Sequence, residues 1–183
     1  METAYIGMGA NLASWAGTPE ATLTAAVKRL ETLGRVTCRS SLYSTQPVGF
    51  AEQPRFINAV VALETELNPR ELLHGLLKIE QEFGRDRSAG FANGPRTLDL
   101  DILLFGNLAI DEPDLQIPHP RMATRSFVLV PLREIHVLMG DASGTRSMKQ
   151  LLQSIGKCAE DDQDAVVPME SNVWSSGAGR AGS

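Results

Sequence analysis

The sequence predicts an α+β domain in which a β-α-β-β-α-β order of elements forms an antiparallel sheet, the ferredoxin-like arrangement. Two segments show helical spacing of apolar residues, 18–34 and 68–84. Four segments have strand-like patterns: 3–8, 36–44, 56–67 and the apolar run within 94–106. With additional C-terminal helices, the expected architecture is an α/β/α sandwich, with helices on one face of the sheet and the additions on the other.

The first residues of the two helical segments support the helix prediction. Thr18 precedes Pro19, and a proline at the first helical position loses nothing by lacking an N–H group. In the second segment Asn68 is the capping residue, Pro69 follows it, and Glu71 completes a pattern that resembles a capping box.

The remaining elements are predicted from periodicity and composition. Residues 56–67 alternate and are rich in β-branched side chains, which favours a strand. Helices are predicted over Phe127–Ile135 and Ser147–Ile155. We expect residues 1–157 to form one folded domain and residues 158–183 to be a flexible tail, acidic at first and then rich in glycine and serine.

Composition restricts the classes of function. At 183 residues the chain can bury a substantial core as one domain. The net charge of −5 provides no basic field for nucleic acid. The two cysteines, Cys38 and Cys158, form neither a disulfide framework nor a zinc-ligand spacing. Neither an 18-residue apolar run nor a signal-like N-terminus occurs, so we expect a cytoplasmic protein without membrane partners. We also expect a monomer.

The most informative segment contains Asp99 and Asp101, two residues apart in an otherwise apolar run. Because side chains alternate along a strand, both carboxylates leave the same face, with Cα atoms roughly 6.6 Å apart. Ionised carboxylates on a half-buried strand are costly unless they are compensated. Divalent cations that also bind phosphate oxygens would compensate them. The alternative is a strand end whose acids face solvent or pair with arginine.

Four segments, in this order, resemble motifs of one family. They are Gly-Ala-Asn-Leu at 9–12, with Ala10 in place of the usual serine; Gln-Pro-Arg-Phe-Ile-Asn-Ala-Val at 53–60; Gly-Pro-Arg-Thr-Leu-Asp-Leu-Asp-Ile at 94–102; and Pro-His-Pro-Arg-Met followed by Arg-Ser-Phe within 118–127. Together they resemble the 6-hydroxymethyl-7,8-dihydropterin pyrophosphokinases of folate biosynthesis, and the resemblance extends to about Ile155.

The resemblance implies a ferredoxin-like α/β sandwich, two magnesium ions, ATP and a reduced pterin. The implied reaction transfers the β,γ-diphosphate of ATP to the pterin hydroxymethyl oxygen and releases AMP. Asp99 and Asp101 would hold the two Mg²⁺ ions. Since such a reaction needs alignment and charge compensation rather than covalent chemistry by the protein, the arginines would clamp phosphate oxygens.

Further roles are carried over by position in the family pattern. The implied catalytic residues are Arg85, Arg96, Asp99 and Asp101. The implied nucleotide contacts are Leu73, Arg87, Arg96, Ile102, His119 and Arg125. The implied pterin contacts are the stacking rings of Phe56 and Phe127, the amide of Asn58, and the backbone around Thr45 and Val48.

The sequence leaves alternatives at three positions. Arg96 pairs with Asp99 in the empty protein, binds phosphate, or does each at a different stage. Glu80 is either a recurrent family carboxylate or a solvated residue at a helix end. Asn93 stands where family members often have tryptophan, so a stacking contact over the ligand is in doubt.

Three other functions are alternatives. One is a nucleotide-binding module without catalysis, although a binding protein has little need for both metal carboxylates. Another is a different magnesium-dependent enzyme, such as one that transfers a nucleotide. The third, one half of a fused folate enzyme, is disfavoured by the single-domain length and the expected tail.

Overall fold

An antiparallel sheet with helices on both faces is the framework of the protein. The structure, a computed structural model, describes residues 1–47, 52–86, 94–140 and 166–178. The strands in these ranges are β1 (Glu2–Ala10), β2 (Arg35–Arg39), β3 (Leu42–Thr45), β4 (Phe56–Thr65), β5 (Asp99–Phe105), β6 (Ile110–Glu112), β7 (Leu115–Ile117), β8 (Val166–Met169) and β9 (Gly177–Ala178). The α-helices there are α1 (Pro19–Leu30), α2 (Pro69–Glu82) and α3 (Ser126–Met139).

The central strand order is β5-β1-β4-β2. β1 pairs antiparallel with β4 on one side and with β5 on the other. This order and the alternation with α1 and α2 are the ferredoxin-like arrangement, so the predicted fold class is confirmed. β6 and β7 form a separate two-stranded hairpin after β5.

The predicted strand 36–44 is two strands in the structure. The interruption lies at Ser40, which is buried and whose hydroxyl accepts a hydrogen bond from the Val60 N–H (3.0 Å) and donates one to the Ser41 carbonyl (2.8 Å). The side chain thus takes over bonds that a regular ladder would make between backbones. Both β2 and β3 still pair with β4, and Thr45 at the end of β3 lies opposite Phe56.

The two faces of the sheet carry separate apolar layers. On one face, Ile6 packs with residues of α1 and α2 such as Leu23 and Leu76. On the other face, Tyr5 packs with Leu132 of α3. This is the α/β/α sandwich that the sequence predicts.

Both predicted helix starts are confirmed by their hydrogen bonds. The Asn68 side chain accepts from the N–H groups of Arg70 and Glu71 (both 3.0 Å), and the Glu71 carboxylate accepts from the Asn68 N–H (2.9 Å). Such a capping residue contributes about 1 kcal/mol. The helix predicted over Phe127–Ile135 is α3, and the one predicted over Ser147–Ile155 lies outside the described residues. The helices within the described ranges all fall short of the length and hydropathy that a bilayer crossing requires.

The expectation of a flexible tail is wrong for residues 166–178. β8 extends the sheet beside β3, and β9 pairs with β2. Between them Trp174 is buried, and its indole N–H donates to the Ser40 carbonyl at 2.7 Å. The physical reason is that unpaired edges of β2 and β3 accept these short strands, while the indole adds apolar area to the core.

We expect Trp174→Ala to lower the free energy of unfolding by about 3–5 kcal/mol, because it removes a buried aromatic ring and leaves a cavity. Trp174→Phe, which keeps most of the area and loses the hydrogen bond, should cost about 1–2 kcal/mol. Urea unfolding measures both values. The matched control is Trp15→Ala, since that side chain is 71% exposed; equal losses for Trp15→Ala and Trp174→Ala would contradict the docked C-terminal segment.

Candidate active site

A cavity of about 460 Å³ lies on the α3 face of the sheet, over β1, β4 and β5. It brings together ten of the residues that the sequence singles out: Thr45, Phe56, Asn58, Arg85, Arg96, Asp99, Asp101, His119, Arg125 and Phe127. These residues come from β3, β4 and β5, the segments after α2 and before β5, the segment before α3, and α3 itself. The fold therefore collects them into one site.

Two glycines of β1 form the floor of this cavity. Gly9 lies between Asp99 of β5 and Asn58 of β4, and Gly7 lies beside Asp101 in the next cross-strand row of that face. A Cβ atom at Gly9 would come within 2.9 Å of the Asn58 amide oxygen. Glycine at this position therefore leaves room for the Asn58 side chain on the cavity face of the sheet. The Gly-x-Gly spacing inside a strand is the signal by which sequence reasoning could have assigned this role.

The two aspartates leave the same face of β5, as the strand period predicts. Leu100 and Ile102, which alternate with them, are buried in the core beneath α1 and α2, whereas both aspartates line the cavity. Each oxygen of the Asp99 carboxylate meets an arginine. Arg85 Nη1 lies 2.8 Å from Oδ1, and Arg96 Nη1 lies 2.7 Å from Oδ2. The Arg96–Asp99 pair that the sequence allows is thus present in the structure.

A buried carboxylate supports Arg85 and the start of β5. Glu80 on α2 is only 1% exposed, and its Oε1 accepts the Leu100 N–H at 2.8 Å. Its Oε2 lies 3.6 Å from Arg85 Nε, and Arg85 also donates to the Leu98 carbonyl at 3.0 Å. The solvated reading of Glu80 is therefore wrong, because this helix end packs against β5 instead of facing water. The carboxylate holds the guanidinium and the strand in one arrangement.

Asn11 is a site residue that the sequence reasoning missed. Its side-chain oxygen accepts the Arg96 N–H (2.8 Å), and its amide group donates to the side chain of Gln53 (2.9 Å) and the carbonyl of Pro54 (3.0 Å). The Arg96 carbonyl in turn accepts the N–H groups of Asn11 and Leu12. This buried amide joins the segment before β5 to the segment before β4. The Gly-Ala-Asn-Leu motif was the only signal for it.

The polar and aromatic groups of β3 and β4 face the same cavity. Asn58 is 7% exposed, and its amide group donates to the Thr45 hydroxyl at 2.7 Å. The guanidinium of Arg96 lies 5.1 Å from the centre of the Phe56 ring, and that of Arg125 lies 5.5 Å from the Phe127 ring. Both rings thus combine an apolar surface with an adjacent cation.

His119 lines the cavity as a neutral donor. Its Nδ1 accepts the Arg121 N–H at 3.2 Å, so Nε2 carries the proton of the neutral ring. Burial lowers the pKa of His119 below its ordinary 6.5; Arg125 and Arg121 act in the same direction, and Asp101 opposes them. Arg121 also lines the cavity, although the sequence reasoning assigned it no role.

The remaining predicted residues lie elsewhere. Ile102 is buried in the core and Leu73 packs against that core, and neither is among the residues that line the cavity. Their adenine contacts stay predictions. Val48, Arg87 and Asn93 lie outside the described residues.

The charges of the cavity suit an anionic ligand that carries a cation. Among the described residues, the guanidinium groups of Arg85, Arg96, Arg121 and Arg125 and the carboxylates of Asp86, Asp99 and Asp101 line it. In the same part of the chain there is no group of three or more His, Cys, Asp or Glu side chains able to enclose a metal ion. Two aspartates on one face therefore suit Mg²⁺ only if phosphate and water complete its shell, as that ion prefers.

The fold and the cavity define a class: a ferredoxin-like α/β protein whose site combines several arginines, paired carboxylates and aromatic rings. Residues 5–137 match the family model described as 7,8-dihydro-6-hydroxymethylpterin-pyrophosphokinase. Because this match covers more than half of the chain, the chain belongs to that family. It is a pyrophosphokinase of the folate pathway, and ATP-dependent diphosphate transfer is the reaction of the family.

Curated relatives carry the same name. The chain is 46% identical over 137 residues to the 2-amino-4-hydroxy-6-hydroxymethyldihydropteridine pyrophosphokinase of Pseudomonas aeruginosa, covering 74% of this chain and 81% of the relative. It is 40% identical over 178 residues to that of Bacillus subtilis, covering 96% of this chain and 92% of the relative. The second alignment includes the C-terminal region.

Solved structures share the fold. An HPPK-DHPS in complex with substrates superposes with a TM-score of 0.62 at 15% identity, covering 89% of this chain. A Plasmodium falciparum HPPK-DHPS with pterin and p-hydroxybenzoate gives 0.60, also at 15% identity, covering 93% of this chain. This chain spans less than half the length of each of those chains, 45% and 48%.

We expect Asn11→Asp to lower the free energy of unfolding by about 3 kcal/mol, because a carboxylate oxygen would then face the Pro54 carbonyl in a buried site. The matched control is Asn172→Asp, an exposed position in the C-terminal segment, which should change it by about 0.5 kcal/mol or less. Urea unfolding of both variants is the measurement. Equal effects would show that Asn11 is not the link between the two segments.

The pKa of His119 provides a second test, by NMR titration of its ring protons in the free protein. The midpoint should lie below 6.5, because burial disfavours the charged ring. Asp101→Asn should lower it further, since the carboxylate favours the proton, and Arg125→Gln should raise it toward 6.5. A wild-type midpoint at or above 6.5, or shifts of opposite sign, would contradict the described environment.

Proposed function

We propose that this chain binds ATP and 6-hydroxymethyl-7,8-dihydropterin in the cavity and that Asp99 and Asp101 hold two Mg²⁺ ions there. The pterin hydroxymethyl oxygen attacks the β-phosphorus of ATP and loses its proton to water; the bond from that phosphorus to the oxygen that bridges to the α-phosphorus breaks, and AMP leaves with that oxygen. The observation that carries the proposal is the pair of aspartates on the cavity side of β5, flanked by two arginines. When bound, the two ions would neutralise phosphate charge and help to orient the reacting oxygens.

The ion pairs of Asp99 support a phosphate-binding role for the arginines. Arg85 and Arg96 both pair with Asp99, and all three side chains are at least three-quarters buried. A triphosphate offers oxygens that suit a planar guanidinium, and the Asp99 carboxylate would then be available to hold Mg²⁺. The arginines would thereby pass from Asp99 to phosphate without leaving a buried charge uncompensated. His119 adds a neutral N–H donor.

The pterin is proposed to bind between Phe56 and Phe127. Both rings line the cavity, and aromatic faces bind planar heterocycles through stacking. The Asn58 amide is held by the Thr45 hydroxyl and faces the strand that carries Gly9, so its oxygen can accept hydrogen bonds from the edge of a ring. This arrangement favours a flat, polar-edged acceptor over a second nucleotide.

The product released from ATP distinguishes the proposed reaction from the alternatives. Diphosphate transfer releases AMP, phosphate transfer would release ADP, and nucleotide transfer would release pyrophosphate. A binding module would release none of them. The cytoplasmic location, the monomeric state and the domain boundary between residues 157 and 158 stay predictions.

We expect Asp99→Asn and Asp101→Asn each to reduce AMP release by about a hundredfold or more, because each removes a charged ligand of the metal. The matched control is Asp111→Asn in the exposed β6, which should keep full activity.

Mn²⁺ binding followed by paramagnetic resonance, with a nonhydrolysable ATP analogue, gives a readout independent of turnover. Both active-site variants should weaken it, whereas pterin affinity should change much less. A variant that keeps more than a few per cent of the activity and binds Mn²⁺ normally would refute the metal role.

A further inference from the structure

A carboxylate outside the cavity joins the two elements that carry the proposed pterin contacts. Glu134 lies on α3 and accepts three hydrogen bonds, each 2.8 Å long, from β3 and the residue before it. The Ser41 N–H and the Tyr43 hydroxyl both donate to Oε2, and the Ser41 hydroxyl donates to Oε1. All three donors are neutral groups.

Glu134 and Phe127 lie on the same face of α3. The two residues are seven apart, so they share one face of α3 and are separated by about 10 Å along its axis. Phe127 lines the cavity, and Glu134 fastens the same helical face to β3 two turns away. The orientation of the ring therefore depends on where this bond network holds the helix.

On β3, the residue that bonds to Glu134 and the residue that lines the cavity also share one face. Tyr43 and Thr45 are two apart and extend from one face of the strand. Thr45 accepts the Asn58 amide and lines the cavity, while Tyr43 pairs with Asn58 in the strand register and donates to Glu134. The Glu134 hydrogen bonds thus hold β3 at Tyr43, two residues before Thr45, which bonds to Asn58 in the cavity.

The Tyr43 hydroxyl is suited to remain a donor. The side chain is only 9% exposed. Burial raises the pKa of Tyr43 well above its ordinary value, and the hydrogen bond to Glu134 adds to this effect. The hydroxyl therefore stays protonated at every pH at which the protein would work.

We propose that Glu134 is a positioning residue for the acceptor substrate: by joining α3 to β3, it sets the gap between the Phe127 ring and the Thr45–Asn58 pair. This inference rests on the proposed function, because it takes that gap to be the pterin subsite. The phosphate side is anchored separately, through Glu80 and Asn11. Loss of Glu134 should therefore affect the pterin and spare the nucleotide.

The substitutions at this position separate geometry from charge. In Glu134→Gln the amide oxygen can accept from the Ser41 N–H and the Tyr43 hydroxyl, and the amide nitrogen can donate to the Ser41 hydroxyl, so the network is retained. In Glu134→Leu the size is similar, but all three bonds are lost. Tyr43→Phe removes one bond and is the milder variant if Glu134→Leu folds poorly. Arg133→Ala, at the exposed neighbouring position on α3, is the matched control.

The experiment is calorimetric titration of each variant with the dihydropterin in the presence of a nonhydrolysable ATP analogue and Mg²⁺, and with the analogue alone. We expect Glu134→Leu to weaken pterin binding by about tenfold and Tyr43→Phe by about threefold. Affinity for the ATP analogue should stay within about twofold. Glu134→Gln and Arg133→Ala should match the wild type.

The outcomes assign failure to separate causes. Unchanged pterin affinity in Glu134→Leu and Tyr43→Phe would overturn the inference while leaving the proposed function intact. Equal weakening of both ligands, or a Glu134→Gln variant as weak as Glu134→Leu, would also overturn it, since the role would then be general stability or charge. A wild-type protein that binds the ATP analogue but not the dihydropterin would overturn the proposed function, and this inference with it.

Discussion

The site depends on the ion pairs made by the largely buried carboxylate of Asp99. Its two oxygens meet Arg85 and Arg96, and each arginine is held by another part of the chain. Arg85 is supported by Glu80 at the end of α2, and the backbone of Arg96 is held by Asn11 after β1. Charges removed from water are stable only when they are paired and hydrogen-bonded, so three separate segments must meet at this point. The same requirement fixes the positions of both guanidinium groups in the cavity.

One face of the sheet carries the main apolar core, and the other carries the cavity. The residues of β1 that face α1 and α2 are apolar and buried, whereas those that face the cavity include Gly7 and Gly9. The two glycines provide no side chains to pack at the centre of the cavity face. Elsewhere on that face, Leu132 and Ile135 of α3 pack against the sheet. A rigid core on one side therefore supports an open, polar site on the other. Strand alternation makes this possible, because adjacent residues of one strand can serve opposite purposes.

Sequence reasoning was most successful where a feature depends on neighbouring residues. The capping box at Asn68 and the shared face of Asp99 and Asp101 follow from short spacings, and both are present. It was less successful for Glu80, whose burial depends on β5 packing against the end of α2. It was wrong for residues 166–178, because this segment carries apolar residues that the glycine- and serine-rich end of the chain obscured, and it pairs with open strand edges and buries one tryptophan.

By itself the sequence determined the class of fold, the family motifs and the list of residues able to bind phosphate, metal and a flat ring. These follow from periods of two and 3.6 residues and from the chemistry of each side chain. Only the tertiary structure decided which of them meet. Asn11 reaches Arg96 across 85 positions, and Trp174 reaches Ser40 across 134. Contacts of that kind depend on how strands and helices pack as a whole, and no local pattern encodes the distance between two segments.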